Sequence, residues 1–204
     1  MKLRLEEELE LVCNWLNMNK IKINLDKSKF MVFSYGKEYS LSNLQFGNGS
    51  IAATDHIKFL GVIVDNHLKF KNHTSSVCNK ISRVVGLLFR LNNILPVETL
   101  TTLYSTLLVP HLLYGIEVWH GALQENHDRT FKLQKKAIQA INSLGYNHHT
   151  NEFFKSMEML KREDIFKQRL LVYMFKNQNL TTYSDIHSYN TRQRHDLVIP
   201  RFNR

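Results

Sequence analysis

The chain has 204 residues, 43% hydrophobic and 22% charged, an ordinary globular balance that excludes an intrinsically disordered polymer. Its 27 Lys and Arg against 18 Asp and Glu leave a net charge of +9, which favours polyanions, nucleic acid or an anionic surface, as partners. Two isolated cysteines, Cys13 and Cys78, exclude a disulfide framework and offer no CxxC spacing for zinc.

Leu5, Leu9, Val12 and Leu16 recur at helical spacing, with Glu6, Glu7, Glu8 and Glu10 on what reads as a solvated face. An amphipathic helix therefore opens the chain and fades at Asn17–Asn19. Lys29–Tyr35 is short, aromatic and β-branched, which favours a strand, and Leu41–Phe46 is a weaker one. Gly47-Asn48-Gly49 tolerates positive φ and turns the chain back into Ser50–Ala53. Ile57–Asp65 is the densest β-branched run and predicts a single strand. A helix and a small antiparallel sheet thus cover residues 1–70.

Everything beyond reads helical. Val77, Ile81, Val84, Leu88 and Leu91 form one stripe. Pro96 suits a first helical turn, and Leu100, Leu103, Leu107 and Leu108 continue a second stripe until Pro110 stops it. Leu112–Gly121 is a further apolar segment. The longest apolar run, 103–119, is interrupted by Pro110, His111 and Glu117, too short and polar to span a bilayer. From Asp128 to Ile141, Leu133, Ala137, Ile138 and Ile141 share a face, and Gly145 offers a stop. Asn151–Leu160 and Glu163–Asn177 predict two more helices. From Thr181 the chain is Asn-, Arg- and His-rich with no stripe, which predicts an irregular basic tail. The fold class is α+β. With no signal segment at Met1, the sequence predicts a soluble intracellular protein, nucleus and cytoplasm undistinguished.

Nucleotidyl transfer by two metals needs carboxylates that converge on a pair of cations. The chain contains no Asp-Asp pair, and Glu163-Asp164 falls at a helix start where the dipole explains it. Its histidines are scattered, without Cys or acid at ligand spacing, and no nucleophile elbow or phosphate loop frames a site. No metal site, cofactor or small-molecule ligand is predicted from these residues. Basic side chains are the remaining resource: Lys80, Arg83 and Arg90 on one helix, Lys132, Lys135 and Lys136 on a later one, Arg192 and Arg194 in the tail. They are candidate phosphate contacts, which position a duplex without reading its sequence. Solvated helix backs, or a disordered end, describe the same positions.

Five groups of residues fall in a fixed order. Trp15-Leu16, Asn19-Lys20, Asn24, Lys27-Ser28, Met31 and Phe33 come first. Phe59-Leu60-Gly61-Val62 with Asp65 follows, then Leu103-Tyr104, Leu107, Pro110-His111-Leu112, Tyr114-Gly115 and Trp119. Leu133-Gln134 with Ala137 and Tyr189-Asn190-Thr191-Arg192 complete the series. In that order they resemble the reverse transcriptases of LINE-type (non-LTR) retrotransposons, of jockey-like and related clades. Ser28 in place of Thr and Ile23 in place of Leu are mild departures. The resemblance covers nearly the whole chain.

The resemblance implies a C-terminal piece: residues 1–70 a palm remnant with the primer-grip hairpin, 75–180 a helical thumb-like domain, 181–204 a basic tail. By it, Lys27 corresponds to the lysine that helps protonate the pyrophosphate leaving group, an auxiliary catalytic role. Phe59, Leu60 and Gly61 correspond to the hairpin that holds the primer 3′ end, and Pro110, Tyr114 and Trp119 to thumb core. RNA and DNA, as template–primer, are the implied partners. Mg2+ is implied only for the full-length polymerase, because the family's metal-binding aspartates precede the helix that begins here. Template–primer binding without primer extension by this chain alone is the expectation. The alternative is a non-catalytic helical module, derived from such an element, that binds nucleic acid or protein. Apolar residues such as Met31 and Phe33 are expected to leave residues 1–70 less stable than the helices.

Overall fold

In a computed structural model, residues 2–33, 43–121, 124–177, 182–186, 188–190, 192 and 194–196 are described. Helix α1 (Lys2–Met18) lies against a three-stranded sheet of order β1-β3-β2, built from β1 (Lys29–Phe30), β2 (Leu44–Phe46) and β3 (Gly49–Ala53). Strands β2 and β3 form an antiparallel hairpin with Leu44 opposite Ile51 and Phe46 opposite Gly49, so Leu44, Phe46 and Ile51 are buried together. The pairing of β1 with β3 is parallel, which departs from an all-antiparallel sheet. Only Lys29 and Phe30 of the expected Lys29–Tyr35 strand are paired; 34–42 lie outside the described residues.

The inner face of α1 runs through Glu6, Leu9, Cys13 and Leu16, while Val12 and Trp15 are exposed. Glu6 is therefore not on a solvated face. Its carboxylate accepts the Gln45 backbone N–H at 3.2 Å, because the edge strand β2 needs an acceptor there. Glu8 is exposed and pairs at 3.5 Å with Arg4.

The expected single strand over Ile57–Asp65 is instead a hairpin, β4 (His56–Phe59) and β5 (Val62–Asp65), with Phe59 opposite Val62. Leu60 and Gly61 both take positive φ (44° and 87°), as primed hairpin turns demand. An apolar Leu at the first corner hides that turn from the local residue pattern, whereas the resemblance implies a hairpin there. After β5, the Asp65 carboxylate accepts three backbone N–H groups, from His67 (3.2 Å), Lys69 (2.9 Å) and Phe70 (2.5 Å). Asp65 thereby folds the link into α2 (Lys71–Leu91).

Most of the core lies among the helices. Val77, Ile81, Val85 and Leu88 of α2 are buried; Val84 and Leu91, expected in the same stripe, are half-buried. Helix α3 (Val97–Leu103) runs through a π-helical turn (Tyr104–Leu108) into α4 (Val109–Leu113), so Pro110 does not stop it. The Val109 N–H reaches back five residues to Tyr104 O, and that wider turn accommodates a proline that cannot donate. The extra residue also rotates the stripe: Tyr104 is buried and Leu107 is exposed.

Helices α5 (Ile116–Trp119), α6 (Gln124–Ile141), α7 (Asn151–Ser156) and α8 (Arg162–Lys176) complete the body. Helix α6 ends on Ser143 at φ 52°, with Leu144 N–H bonded to Gln139 O, so Ser143 and not Gly145 makes the left-handed stop. The described tail is less irregular than expected. A one-turn helix α9 (Tyr183–Ile186) is fixed by the Asp185 carboxylate, which accepts the Thr182 N–H (2.7 Å) and hydroxyl (2.9 Å). Those two bonds, backbone first, hold the Asp185 carboxyl below its usual pKa. A single turn is too short to show as a stripe. No helix among the described residues is long and apolar enough to cross a membrane.

His73 joins hairpin to helices: its Nδ1 accepts the Ile63 N–H at 3.3 Å, and its ring meets Trp119 edge-on at 5.6 Å. Burial, and then the Lys80 charge, hold its pKa below the ordinary value. The folded chain thus binds fewer protons than the unfolded one. Its stabilising contribution is complete above the unfolded histidine value of about 6.5 and is lost as pH falls through the depressed folded value. The urea midpoint is expected to drop on acidification below about pH 6.5, with a shallower fall in His73→Gln. Equal pH slopes in the two proteins would refute this origin.

Candidate nucleic-acid interface

Helices α2 and α6 pack along each other more extensively than any other pair of elements. Where their outer faces diverge they leave a groove of about 460 Å³. Asn79 and Ser82 of α2 form one wall, and Arg129, Lys132, Lys135 and Lys136 of α6 form the other, with Tyr146 at one end. Among the described residues, no carboxylate lines it. Lys136 Nζ lies over the Tyr146 ring at 5.8 Å and Lys135 Nζ over Phe131 at 4.6 Å, so each ammonium is held at the face of an aromatic ring. Arg129 donates to Ser75 Oγ at 3.4 Å across the helix pair. Cys78 on the floor is buried, and burial raises its thiol pKa while Arg129 and Arg162 oppose, an environment that keeps it protonated rather than nucleophilic.

The lysines expected on α6 are therefore together. Arg129 belongs with them, although a search for lysine clusters passes over it. Positions 129, 132 and 136 recur at i, i+3 and i+7, the spacing of one helix face, and that signal was present in the sequence. Lys80, Arg83 and Arg90 are exposed on α2 but do not line the groove. Arg90 Nε donates to Gly86 O on its own helix (3.2 Å), and the Lys80 charge acts on His73 and His111. Arg192 is exposed. Arg194 is half-buried, with its carbonyl accepting the Ser184 N–H at 2.9 Å.

Phe59 and Leu60 project from the β4–β5 tip, 63% and 75% exposed, too open for sheet core. The tip is anchored from below: the Tyr114 hydroxyl donates to Leu60 O, and Gly115 (φ 62°) lets α5 start beneath Val62. A Cβ on Gly61 would come within 3.0 Å of the Tyr114 ring. The Phe-Leu-Gly-Val and Tyr-Gly groups of the sequence are thus two sides of one contact, and Trp119 Nε1 closes it by donating to Tyr114 O at 2.9 Å. Gly61→Ala is expected to cost about 1–2 kcal/mol from positive φ alone, more with the clash, and to speed exchange of the Val62 amide. An unchanged melting temperature would contradict it.

Lys27 ends a 3-10 turn (Leu25–Lys27), exposed, with its backbone N–H bonded to the Asn24 side chain at 3.2 Å. It lies away from the groove lining. Among the described residues no three His, Cys, Asp or Glu side chains converge where a metal could be held, so they do not fit a two-metal centre.

Fold and groove together define an α+β protein in which four cations of one helix line a single groove. The proteins it resembles act on nucleic acid by name. It is 22% identical over 174 residues to the RNA-directed DNA polymerase from mobile element jockey of Drosophila melanogaster, covering 83% of this chain and 19% of that protein. The jockey polymerase of Drosophila funebris is 22% identical over 80% of this chain, and the "Probable RNA-directed DNA polymerase from transposon BS" of Drosophila melanogaster 24% over 70%. All three are named as RNA-directed DNA polymerases, or probable ones, of mobile elements, and the likeness runs over most of this chain. The chain spans about a fifth of the length of the curated relatives it matches. No family model matches it, and no solved structure does.

Proposed function

We propose that this chain is the part of a retrotransposon reverse transcriptase that grips the template–primer, a C-terminal piece with palm remnant, thumb-like helices and basic tail. Among the described residues, four cations and no carboxylate line one groove, and that convergence carries the assignment. A groove of this kind tracks phosphates rather than bases. The exposed Phe59 and Leu60, at a tip that Gly61 lets pack on Tyr114, suit contact with a primer end. Lys80, Arg83, Arg90, Arg192 and Arg194 would add peripheral phosphate contacts, and Lys27 a proton for departing pyrophosphate in the whole polymerase. No metal-dependent step is derived for these residues, and primer extension by the purified chain is expected to be undetectable in a labelled-primer assay.

Binding to an RNA–DNA hybrid tests the assignment. Log affinity should fall linearly with log salt, with a slope of about −3 to −4 for four phosphate contacts. A flat response would favour the second reading, a protein-interaction module. That alternative has its own support in the exposed Leu171, Tyr173 and Phe175 of α8.

A further inference from the structure

Arg162 opens α8 and is only 2% exposed. Its guanidinium lies 5.0 Å above the Trp119 ring, and its backbone N–H is bound by the Gln134 side chain at 3.0 Å. Yet Nε and Nη2 have no hydrogen-bond partner among the described residues. Buried arginine donors normally end on a carboxylate, carbonyl or phosphate, because their desolvation is otherwise uncompensated.

Arg162 lines a cavity of about 290 Å³ enclosed by α6, α7 and the start of α8. Lys135 and Lys161 line it too, each ammonium resting over a ring, Phe131 at 4.6 Å and Phe154 at 6.0 Å. Asn151 adds an amide. Asp128 and Glu163 share the lining, both exposed, and the Glu163 carboxylate acts on the Arg162 charge from the rim. The fifteen-residue α8 points its N-terminus here, the end whose partial charge favours anions. Burial pulls the Arg162 pKa to about 10, against the opposing pull of Glu163 and Cys78, so the group stays cationic at neutral pH.

We infer that this cavity is an oxyanion site that takes a phosphate group between Arg162, Lys161 and Lys135. A planar guanidinium presents its donors as a fork that matches phosphate oxygens, and the two ammonium groups neutralise the remaining charge. The site rests on this cavity and not on the groove, with which it shares only Lys135.

Trp119, beneath the guanidinium, is the reporter. In a Trp15→Phe background it is the sole tryptophan. Inorganic phosphate, titrated into the full chain at constant ionic strength, is expected to change its emission saturably. Arg162→Gln and Lys161→Gln should each raise the half-point about tenfold or more. Should Arg162→Gln fail to fold, the half-buried Lys161 decides alone. A linear, unsaturating response, or an unchanged half-point in Lys161→Gln, overturns the site. An oligonucleotide without terminal phosphates separates the sources: displacement of phosphate assigns a backbone phosphodiester, and no displacement assigns inorganic phosphate or a monoester. Arg129→Gln with Lys132→Gln and Lys136→Gln should leave the half-point unchanged, so failure here and failure of the groove are read independently.

Discussion

Replacing Gln134 with alanine is expected to remove about 3 kcal/mol or more of folding free energy, the largest single-site loss the fold predicts outside its apolar core. Gln134 is fully buried on α6. Its Nε2 donates to the Tyr104 hydroxyl at 2.8 Å and to Leu160 O at 2.9 Å, and its Oε1 accepts the Arg162 N–H at 3.0 Å. One amide therefore ties α6 to the π-helical turn and to the entry of α8. Truncation leaves the Tyr104 hydroxyl and the Arg162 N–H buried without partners, each costing about 1–3 kcal/mol. Burial pushes the Tyr104 phenol pKa up to about 12, against the Gln134 bond, so Tyr104 stays neutral and keeps its role at any ordinary pH. Tyr104→Phe removes one bond and should cost about 1 kcal/mol, with strong coupling in the double variant. Urea unfolding measures all three; a loss below about 1 kcal/mol for Gln134→Ala would mean the node carries little.

The second large effect is on binding. Arg129, Lys132 and Lys136 changed together to glutamine should flatten the salt slope for an RNA–DNA hybrid by about three units and weaken low-salt affinity by about a hundredfold or more. Lys132 and Lys136 are exposed, and the Arg129 bond to Ser75 is a long surface contact at 3.4 Å. Stability should therefore shift by no more than about 0.5 kcal/mol. The matching triple on α2, at Lys80, Arg83 and Arg90, should have a smaller effect because those side chains lie outside the groove. If the α2 triple weakened binding more, the interface would have to be moved to that face.

Much of the secondary structure was legible because it depends on local periodicity. The stripe from Val77 to Leu91 and that from Leu133 to Ile141 each predicted a helix, and Gly47-Asn48-Gly49 predicted the β2–β3 turn. The i, i+3, i+7 cations of α6 were equally readable, Arg129 included. Where the chain's own pattern conflicts with a distant contact, periodicity misleads. Ile57–Asp65 reads as one strand until the Tyr114 hydroxyl holds Leu60 in a turn. Leu107 completes an apolar stripe until a π turn ahead of Pro110 rotates it outward.

The sequence by itself determined the α+β class, the net charge, the order of family-like residue groups and which helices carry cations. Only the tertiary structure decided which cations meet. It joined the Phe-Leu-Gly-Val tip to Tyr114, made Gln134 a three-way node, and buried Arg162 over Trp119 beside a polar cavity. The physical reason is range. Helical and strand patterns are set by neighbours within a few positions, whereas a buried hydrogen bond or a shared groove joins residues tens of positions apart, which no local period encodes.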